Sequence, residues 1–465
     1  MANLLERASV VLTPTAYNNG EALCIKPDDA SGDFQFSRNS AATRVNAQGL
    51  VENVQILSSN LVQNGDFSEE GSEEVSNGSF SQEGVQLVTN GDFATDTAWA
   101  KNPNWTISGG TANCDGTSDG SFFQGSVIQD NKQYLVTYTL SNLTQGGLRI
   151  QLSGTQGVLR TLNGTYTEYI TSGSNPSGRV SFECSSSPIG SIDNCSVREV
   201  GQDWEFTSGA TIGDDKAIIT GDGSVAGLIQ QTSVFASGKT YKITLDAVIN
   251  SGGGLNVKYG IGFADNIGSM LTTGSYTFYY TASATKSLVI ARKTGGVAYN
   301  SSVTNISVKE VGQNWDLGTG WSISDGVVIN NGTSGSSDSL VYTAGFPTIS
   351  TKTYELSVVF DSYDITNSNA IIAMDSGAIP SSYNRVIARQ GDQDNIVNGV
   401  YKLNFIASSS TVFKLYSRSG ATATISSISL IEITTDTNLP RINYENFSYQ
   451  DALGSELVTN GDFAT

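Results

Sequence analysis

Nine consecutive residues, Leu87-Val-Thr-Asn-Gly-Asp-Phe-Ala-Thr95, return letter for letter as Leu457 to Thr465. Asn and Gly both tolerate the left-handed backbone, so Asn-Gly after alternating apolar residues is the strongest short signal for a β-turn. The nonapeptide reads as the opening strand and turn of a β-module, and the copy at 457 as the start of a further repeat. Two relatives precede it at a thirteen-residue period, Leu61-Val-Gln-Asn-Gly-Asp-Phe67 and Glu74-Val-Ser-Asn-Gly-Ser-Phe80. Acidic, Gly/Ser-rich residues follow these two where a module would be expected. Residues 61–86 are therefore expected to be aborted starts left by duplication, forming a partly ordered linker, with extra short strands as the alternative.

A longer period dominates the rest of the chain. Asp193-Asn-Cys-Ser-Val-Arg-Glu-Val-Gly-Gln-Asp-Trp204 matches Thr304-Asn-Ile-Ser-Val-Lys-Glu-Val-Gly-Gln-Asn-Trp315, and Ser426-Ser-Ile-Ser-Leu-Ile-Glu-Ile433 repeats its first part. Tyr134–Leu140, Tyr241–Ala247 and Tyr354–Phe360 form one matching set of segments, and Gly164–Ile170, Gly274–Tyr280 and Gly399–Phe405 another. All of them alternate with period two, as half-buried antiparallel strands do, and no stretch has helical periodicity. The fold class is all-β, with tandem antiparallel β-sandwich repeats at 87–200, 201–311 and 312–433. The junctions Glu199-Val-Gly-Gln202 and Glu310-Val-Gly-Gln313 have no flexible linker, so neighbouring repeats are expected to pack end to end as a rod.

Composition narrows the function. The net charge is −19 and histidine is absent. Phosphate backbones are bound by clustered Lys and Arg, so nucleic acid is excluded as a partner. Without histidine, most Ser-His-Asp, Cys-His and zinc arrangements are excluded too. Asp214-Asp215 and Glu69-Glu70 are adjacent in turn-like sequence and do not form a convergent acid–base pair; no P-loop or nucleophile elbow is present, and no enzyme activity is expected. No apolar run is long enough for a signal peptide or a membrane span, so export by a standard signal and membrane insertion are not expected.

Two resemblances sharpen this. Phe36-Ser-Arg-Asn-Ser-Ala-Ala-Thr-Arg-Val-Asn-Ala-Gln-Gly-Leu-Val-Glu52 resembles a short module of tailed-phage virion proteins, in which a P-R-[IL]-[DN]-Y segment follows soon afterwards. Here that segment is Pro440-Arg441-Ile442-Asn443-Tyr444. The resemblance implies a small anchoring module split between residues 1–60 and 434–465, with the repeats inserted in its loop. Residues 36–54 and 438–447 are then expected to meet, with Arg38, Arg44 and Arg441 as virion-anchoring candidates; solvated charge or local ion pairing is the alternative. Second, Asn90-Gly-Asp-Phe93, the spacing of Trp99 and Trp105, and Ile192-Asp-Asn-Cys-Ser-Val197 resemble the jelly-roll carbohydrate-binding modules of the galactose-binding-like class. That resemblance implies jelly-roll topology for the three repeats.

Candidate site residues follow. Trp99, Trp204 and Trp315 recur at each repeat entrance and are assigned to the core. Trp105 and Trp321 are the sugar-stacking candidates, because the second repeat has Ala210 at that place. Asp92 and Asp193, with Asp66, are candidates for holding calcium, an ion that wants six to eight oxygens; capping of its own turn is the alternative for Asp92. No other cofactor is expected. Cys195 aligns with Ile306 and Ile428 and is assigned to the core, and free thiols are expected. The resulting expectation is a tailed-phage virion component, assembled in the host cytoplasm. It would be a head or tail fibre or appendage, homotrimeric by resemblance, contacting other virion proteins and host-surface glycans. A surface or secreted bacterial carbohydrate-binding adhesin and a non-binding spacer are the alternatives.

Overall fold

The computed structural model describes residues 56–434 except 176, 263–265, 294, 334–338, 392–394 and 409–412. Before residue 56 it describes the strand paths Val11–Asn18, Glu21–Lys26, Phe34–Gln35, Thr43–Val45 and Val51–Asn53. Every regular element among the described residues is a strand. The chain divides into two compact units: one joins the chain up to Ser68 to the chain from Asn314, and the other is Glu69–Gln313.

The second unit contains two sandwiches. In sandwich 1, Gln133–Leu152 and Val180–Val200 are long enough to run through both layers, pairing with each other along most of their length. Register shifts at Thr137/Thr139 and between Ser141 and Gly147 let them bend from one layer to the other, as bulges do. Tyr134, Val136, Tyr138 and Leu140 point inward with Phe122, Ile150, Phe182 and Val197. Sandwich 2 splits into separate sheets. One has the order Glu205–Phe206, Leu228–Phe235, Lys286–Arg292, Leu255–Tyr259, Asn266–Met270, and the other is built on Thr240–Ser251 paired with Tyr299–Val311 and Gly274–Thr281. Sandwich 3, in the other unit, repeats this plan with a five-stranded sheet centred on Phe413–Arg418 and a seven-stranded sheet centred on Thr353–Asp364 and Thr422–Thr434. The period-two strands and the all-β assignment are borne out.

The thirteen-residue repeats are the main correction. They are neither linker nor debris: each closes a different sandwich, in reverse order. Ile56–Leu57 pairs with Thr422–Thr434 of sandwich 3, Glu70–Glu73 with Tyr299–Val311 of sandwich 2, and Glu83–Gln86 with Val180–Val200 of sandwich 1. The Asn-Gly-x-Phe that follows each short strand is a clasp, and its geometry is the same three times. Asn64, Asn77 and Asn90 take φ of 47°, 50° and 52°, and Phe67, Phe80 and Phe93 take 56°, 57° and 50°. A phenylalanine at positive φ is strained; here each ring is buried against a tryptophan, with centroids 5.3 Å (Phe67–Trp315), 5.2 Å (Phe80–Trp204) and 5.5 Å (Phe93–Trp99) apart. The indole Nε1 donates back to the clasp, from Trp315 to Asn64 O at 3.0 Å, Trp204 to Asn77 O at 3.2 Å and Trp99 to Asn90 O at 3.1 Å.

The clasp glycine completes the joint. The backbone N–H groups of Ile428, Ile306 and Cys195 donate to Gly65 O, Gly78 O and Gly91 O at 2.7, 3.0 and 2.8 Å. A Cβ on any of these glycines would overlap the carbonyl oxygen of the same Ile428, Ile306 or Cys195. Trp99, Trp204 and Trp315 are buried as expected, and each forms the socket of one clasp. Cys195 is buried, and burial pushes its thiol up to about 12; Cys114, Cys184 and Cys195 are free.

In clasp 2, Glu70 accepts from Lys242 Nζ at 2.7 Å and Lys309 Nζ at 3.0 Å, and the hydrogen bond from Lys242 leads in holding its carboxyl below the usual range. The pairing is present above the ordinary carboxylate pKa and is lost as pH falls through the lowered folded value. Truncation of the clasp ring should cost far more. Phe80→Ala should destabilise sandwich 2 by about 3–5 kcal/mol, the range for emptying a buried aromatic site, and Gly78→Ala should destabilise it through the carbonyl overlap. Urea unfolding of the full chain followed by Trp204 fluorescence measures both; a wild-type midpoint for Gly78→Ala would contradict the socket geometry.

Candidate functional site

The residues singled out for sugar stacking lie in the core. Trp105 is 3% exposed and stacks on Phe122 at 5.0 Å, with its Nε1 donating to Gly120 O at 3.0 Å. Trp321 is 6% exposed, and Ala210, at the same place in sandwich 2, is 4% exposed. Variation among the repeats at this position reflects a change of buried volume, so neither indole presents a face to a pyranose. Asp92 accepts from Ala94 N at 3.4 Å and caps its own turn, as Asp66 does for Ser68. Asp193 accepts from its neighbour Asn194 at 2.6 Å. Among the described residues no three His, Cys, Asp or Glu converge as a metal-binding group. Arg44 lies on Thr43–Val45, paired opposite Glu52. Arg38, Arg441 and the expected meeting of 36–54 with 438–447 lie outside the described residues.

A different surface has the composition of a ligand platform. In sandwich 1 the outward face of the sheet containing Phe122–Gln124 carries Phe123, Ser181, Gln151 and Gln156 in one cross-strand row. Inward neighbours Phe122, Phe182, Ile150 and Leu152 alternate with them and fill the core. Arg149 and Glu183 form the next row, paired opposite each other with Nε–Oε2 at 3.1 Å; Gln156 Nε2 also donates to Glu183 at 3.1 Å. Arg179, one residue before the strand, lays its guanidinium 3.5 Å above the Phe123 ring. The Nε of Arg179 is buried and has no hydrogen-bond partner among the described residues. An arginine held flat on an aromatic ring keeps its planar donor fork pre-organised. The arrangement offers the half-buried Arg179 and Gln151, the exposed Gln156 and the Arg149–Glu183 ion pair, a set suited to vicinal hydroxyls, while Ser181, 2% exposed, lies beneath them.

The equivalent faces differ. In sandwich 2 the row is Glu205, Gln230, Val289 and Lys258, with no aromatic residue. In sandwich 3 Asp316, Val341, Lys414 and Asp375 line up, and Tyr416 stands two residues from Lys414 with the Arg418 guanidinium 5.1 Å from its ring. Sequence reasoning missed these residues. Strand parity in Arg179-Val-Ser-Phe-Glu183 would have placed Arg179, Ser181 and Glu183 on one face, but nothing local says that this face meets Phe123.

One more polar group is peculiar to sandwich 1. Glu168, 8% exposed, accepts from Tyr138 Oη at 2.8 Å, Val158 N at 2.8 Å and Arg160 at 3.1 Å. Burial foremost, and then the Glu168 carboxylate, raise the Tyr138 phenol well above its ordinary range. This clasps the loop 157–163 to the sheet, and the matching residues in the other repeats are Phe278 and Leu403. Glu168→Ala strands the buried Tyr138 hydroxyl beside the part-exposed Arg160 guanidinium and should cost about 2 kcal/mol, read as a drop in the urea midpoint of sandwich 1. Calcium and chelator should each leave the thermal midpoint of the full chain unchanged; a calcium-dependent rise that Asp92→Asn and Asp193→Asn together abolish would assign the ion to those two carboxylates.

No family model matches the chain, and no curated protein matches it. Solved structures do. The tandem CBM22-1–CBM22-2 domain of Paenibacillus barcinonensis Xyn10C is 10% identical, covering 50% of this chain and 99% of that one, at a TM-score of 0.21. A CBM4 structure is 22% identical over 23% of this chain and 86% of that one, at a TM-score of 0.19. The triple jelly roll of an archaeal virus turret assembly is 12% identical over 72% of this chain and 88% of that one, also at 0.19. The jelly-roll assignment rests on the strand pairings of this chain itself.

Proposed function

We propose that this chain is a non-catalytic structural component of a tailed-phage virion, a fibre or appendage whose sandwiches 1 and 3 contact hydroxyl-rich glycans of the host surface. The observation that carries the glycan part is the Phe123–Arg179 platform with Gln151 and Gln156 in its row and the Arg149–Glu183 pair beside it. Tyr416 with Arg418 supplies a second, sparser version. Each contact is weak on its own, a cation–π pair at an exposed site contributing about 0.5–1 kcal/mol. Several copies of the chain displayed side by side would raise the overall avidity without a tight single site. The virion part is supported by the Phe36–Glu52 and Pro440–Tyr444 resemblance.

Two experiments test the reading. The full chain is applied to an array of bacterial-surface glycans, wild type beside a Phe123→Ala, Arg179→Ala double variant. Binding by the wild type, weakened about tenfold or more in the variant at unchanged thermal midpoint, is the expected result; an arginine fork and its aromatic support are together worth a tenfold step. No binding to any glycan would leave a spacer. Antibody labelling of purified particles in negative stain tests the virion assignment separately, and unlabelled particles with soluble protein in the medium would favour the adhesin.

A further inference from the structure

We propose that Cys114 and Cys184 are a disulfide-forming pair, which a low-molecular-weight disulfide in an oxidising medium closes into a covalent staple across the bend of sandwich 1. Cys184 lies on Val180–Val200 just before that strand bends, and Cys114 pairs with Gly190 just after the bend. Cys114 is 4% exposed and belongs to the core of sandwich 1, while Cys184 is half-buried against the same core. The two thiols are in hydrogen-bond contact with each other. Cys114 Sγ also donates to Gly190 O at 3.3 Å, and Asn104 Nδ2 donates to Cys184 Sγ at 3.7 Å. Both sulfur atoms are thus held in place, facing one another.

Sandwich 3 shows what these two positions can do. Asn330 pairs with Trp321 as Cys114 pairs with Trp105. Ser417 stands two residues after the buried Leu415 and pairs with Ile372, as Cys184 stands two after the buried Phe182 and pairs with Leu148. Asn330 and Ser417 are each 1% exposed, and Ser417 Oγ donates to Asn330 Oδ1 at 2.9 Å. The same two positions are therefore linked by a strong hydrogen bond in one sandwich and hold facing thiols in another. A thiol is a weak donor and a weak acceptor, so two of them replace that hydrogen bond poorly. What they add is the capacity for a covalent bond. Cys195 is the contrast: it is 2% exposed at the place of Ile306 and Ile428, and serves as a small core hydrophobe.

The chemistry is thiol–disulfide exchange. Cys184, the more exposed thiol, gives its proton to solvent, and its thiolate attacks one sulfur of the external disulfide. The first external thiolate leaves and takes up a proton. Cys114 then loses its proton and attacks Cys184 Sγ, expelling the second external thiolate, which is protonated in turn. Two protein thiols are oxidised to one disulfide, and one external disulfide is reduced to two thiols. The hydrogen bond with Cys114, and then burial, push the Cys184 thiol above its ordinary range, so the first step is slow and sets the rate. A thiol-rich cytoplasm keeps such a pair reduced, and a medium poor in thiols lets it close. The bond would close a loop of about 70 residues, long enough for a sizeable gain in stability. It would also pin the residue beside Glu183, although the inference does not depend on glycan binding.

The test uses the full chain, purified with a reductant that is then replaced by oxidised glutathione. Mass spectrometry of peptides prepared without reduction should show Cys114 joined to Cys184, with Cys195 still open to alkylation after denaturation. The thermal midpoint of sandwich 1 should rise by about 5 °C or more on oxidation and fall back when dithiothreitol is added. The double variant Cys114→Asn, Cys184→Ser, which copies the sandwich 3 pair, should have the same midpoint in both media. Cys184→Ser alone serves that purpose if the double variant folds poorly. Cys114 and Cys184 both remaining open to alkylation after oxidation would overturn the proposal. So would a bond from either of them to Cys24 or Cys195 instead, or a wild-type midpoint that oxidation does not move.

Discussion

The structure depends on one joint, the indole of an entrance tryptophan closed against a phenylalanine that its own backbone would rather not accommodate. Phe67, Phe80 and Phe93 all sit at positive φ, and each is held there by a tryptophan at ring-centroid distances of 5.2–5.5 Å. The reciprocal hydrogen bond from the indole to the clasp asparagine makes the joint directional as well as apolar. Without its clasp, a body would expose the tryptophan and the outer ladder of its closing strand together. Unpaired strand edges template association, so the clasp is both the last piece of each core and the cover of an edge.

The order of the clasps has a folding consequence. Clasp 3 finds its tryptophan 9 residues away, and clasp 1 only after 251. For an unstructured chain that difference adds about 3 kcal/mol of loop-closure entropy, by the logarithmic growth of closure cost with length. Closing sandwich 1 first, then sandwich 2, replaces most of the intervening chain with folded mass, so each later closure spans a shorter flexible path. Synthesis from the N-terminus delivers the bodies in that same order, 1, 2 and 3.

Much of the fold was legible from local pattern. Strand parity at Tyr134, Tyr241 and Tyr354, the burial of Trp99, Trp204 and Trp315, and the core position of Cys195 follow from alternation and alignment of the repeats. The clasps at 61–67 and 74–80 did not, because the partner of each is more than a hundred residues downstream and nothing within thirteen residues reveals it. Trp105 and Trp321 were misjudged for a different reason. Ala210 at the matching place looked like freedom to vary, whereas a buried position changes size when its neighbours do. The Phe123–Arg179 platform joins two strands far apart in sequence, and parity alone gives a face without saying which strands share it.

The nesting also decides how the molecule yields to force. The chain enters sandwich 3 at Ile56 and leaves it at Thr434, and these two residues are paired opposite each other at the same end of an antiparallel ladder. Glu70 and Val311 are paired in the same sense in sandwich 2, and Glu83 and Val200 in sandwich 1. Tension between the two flanking segments therefore peels one short ladder at a time, outermost first, while the inner sandwiches feel nothing until the one around them has parted. An arrangement of this kind lengthens in steps under a pull and re-closes from the inside out when the pull is released, as a mechanical fuse that resets itself would.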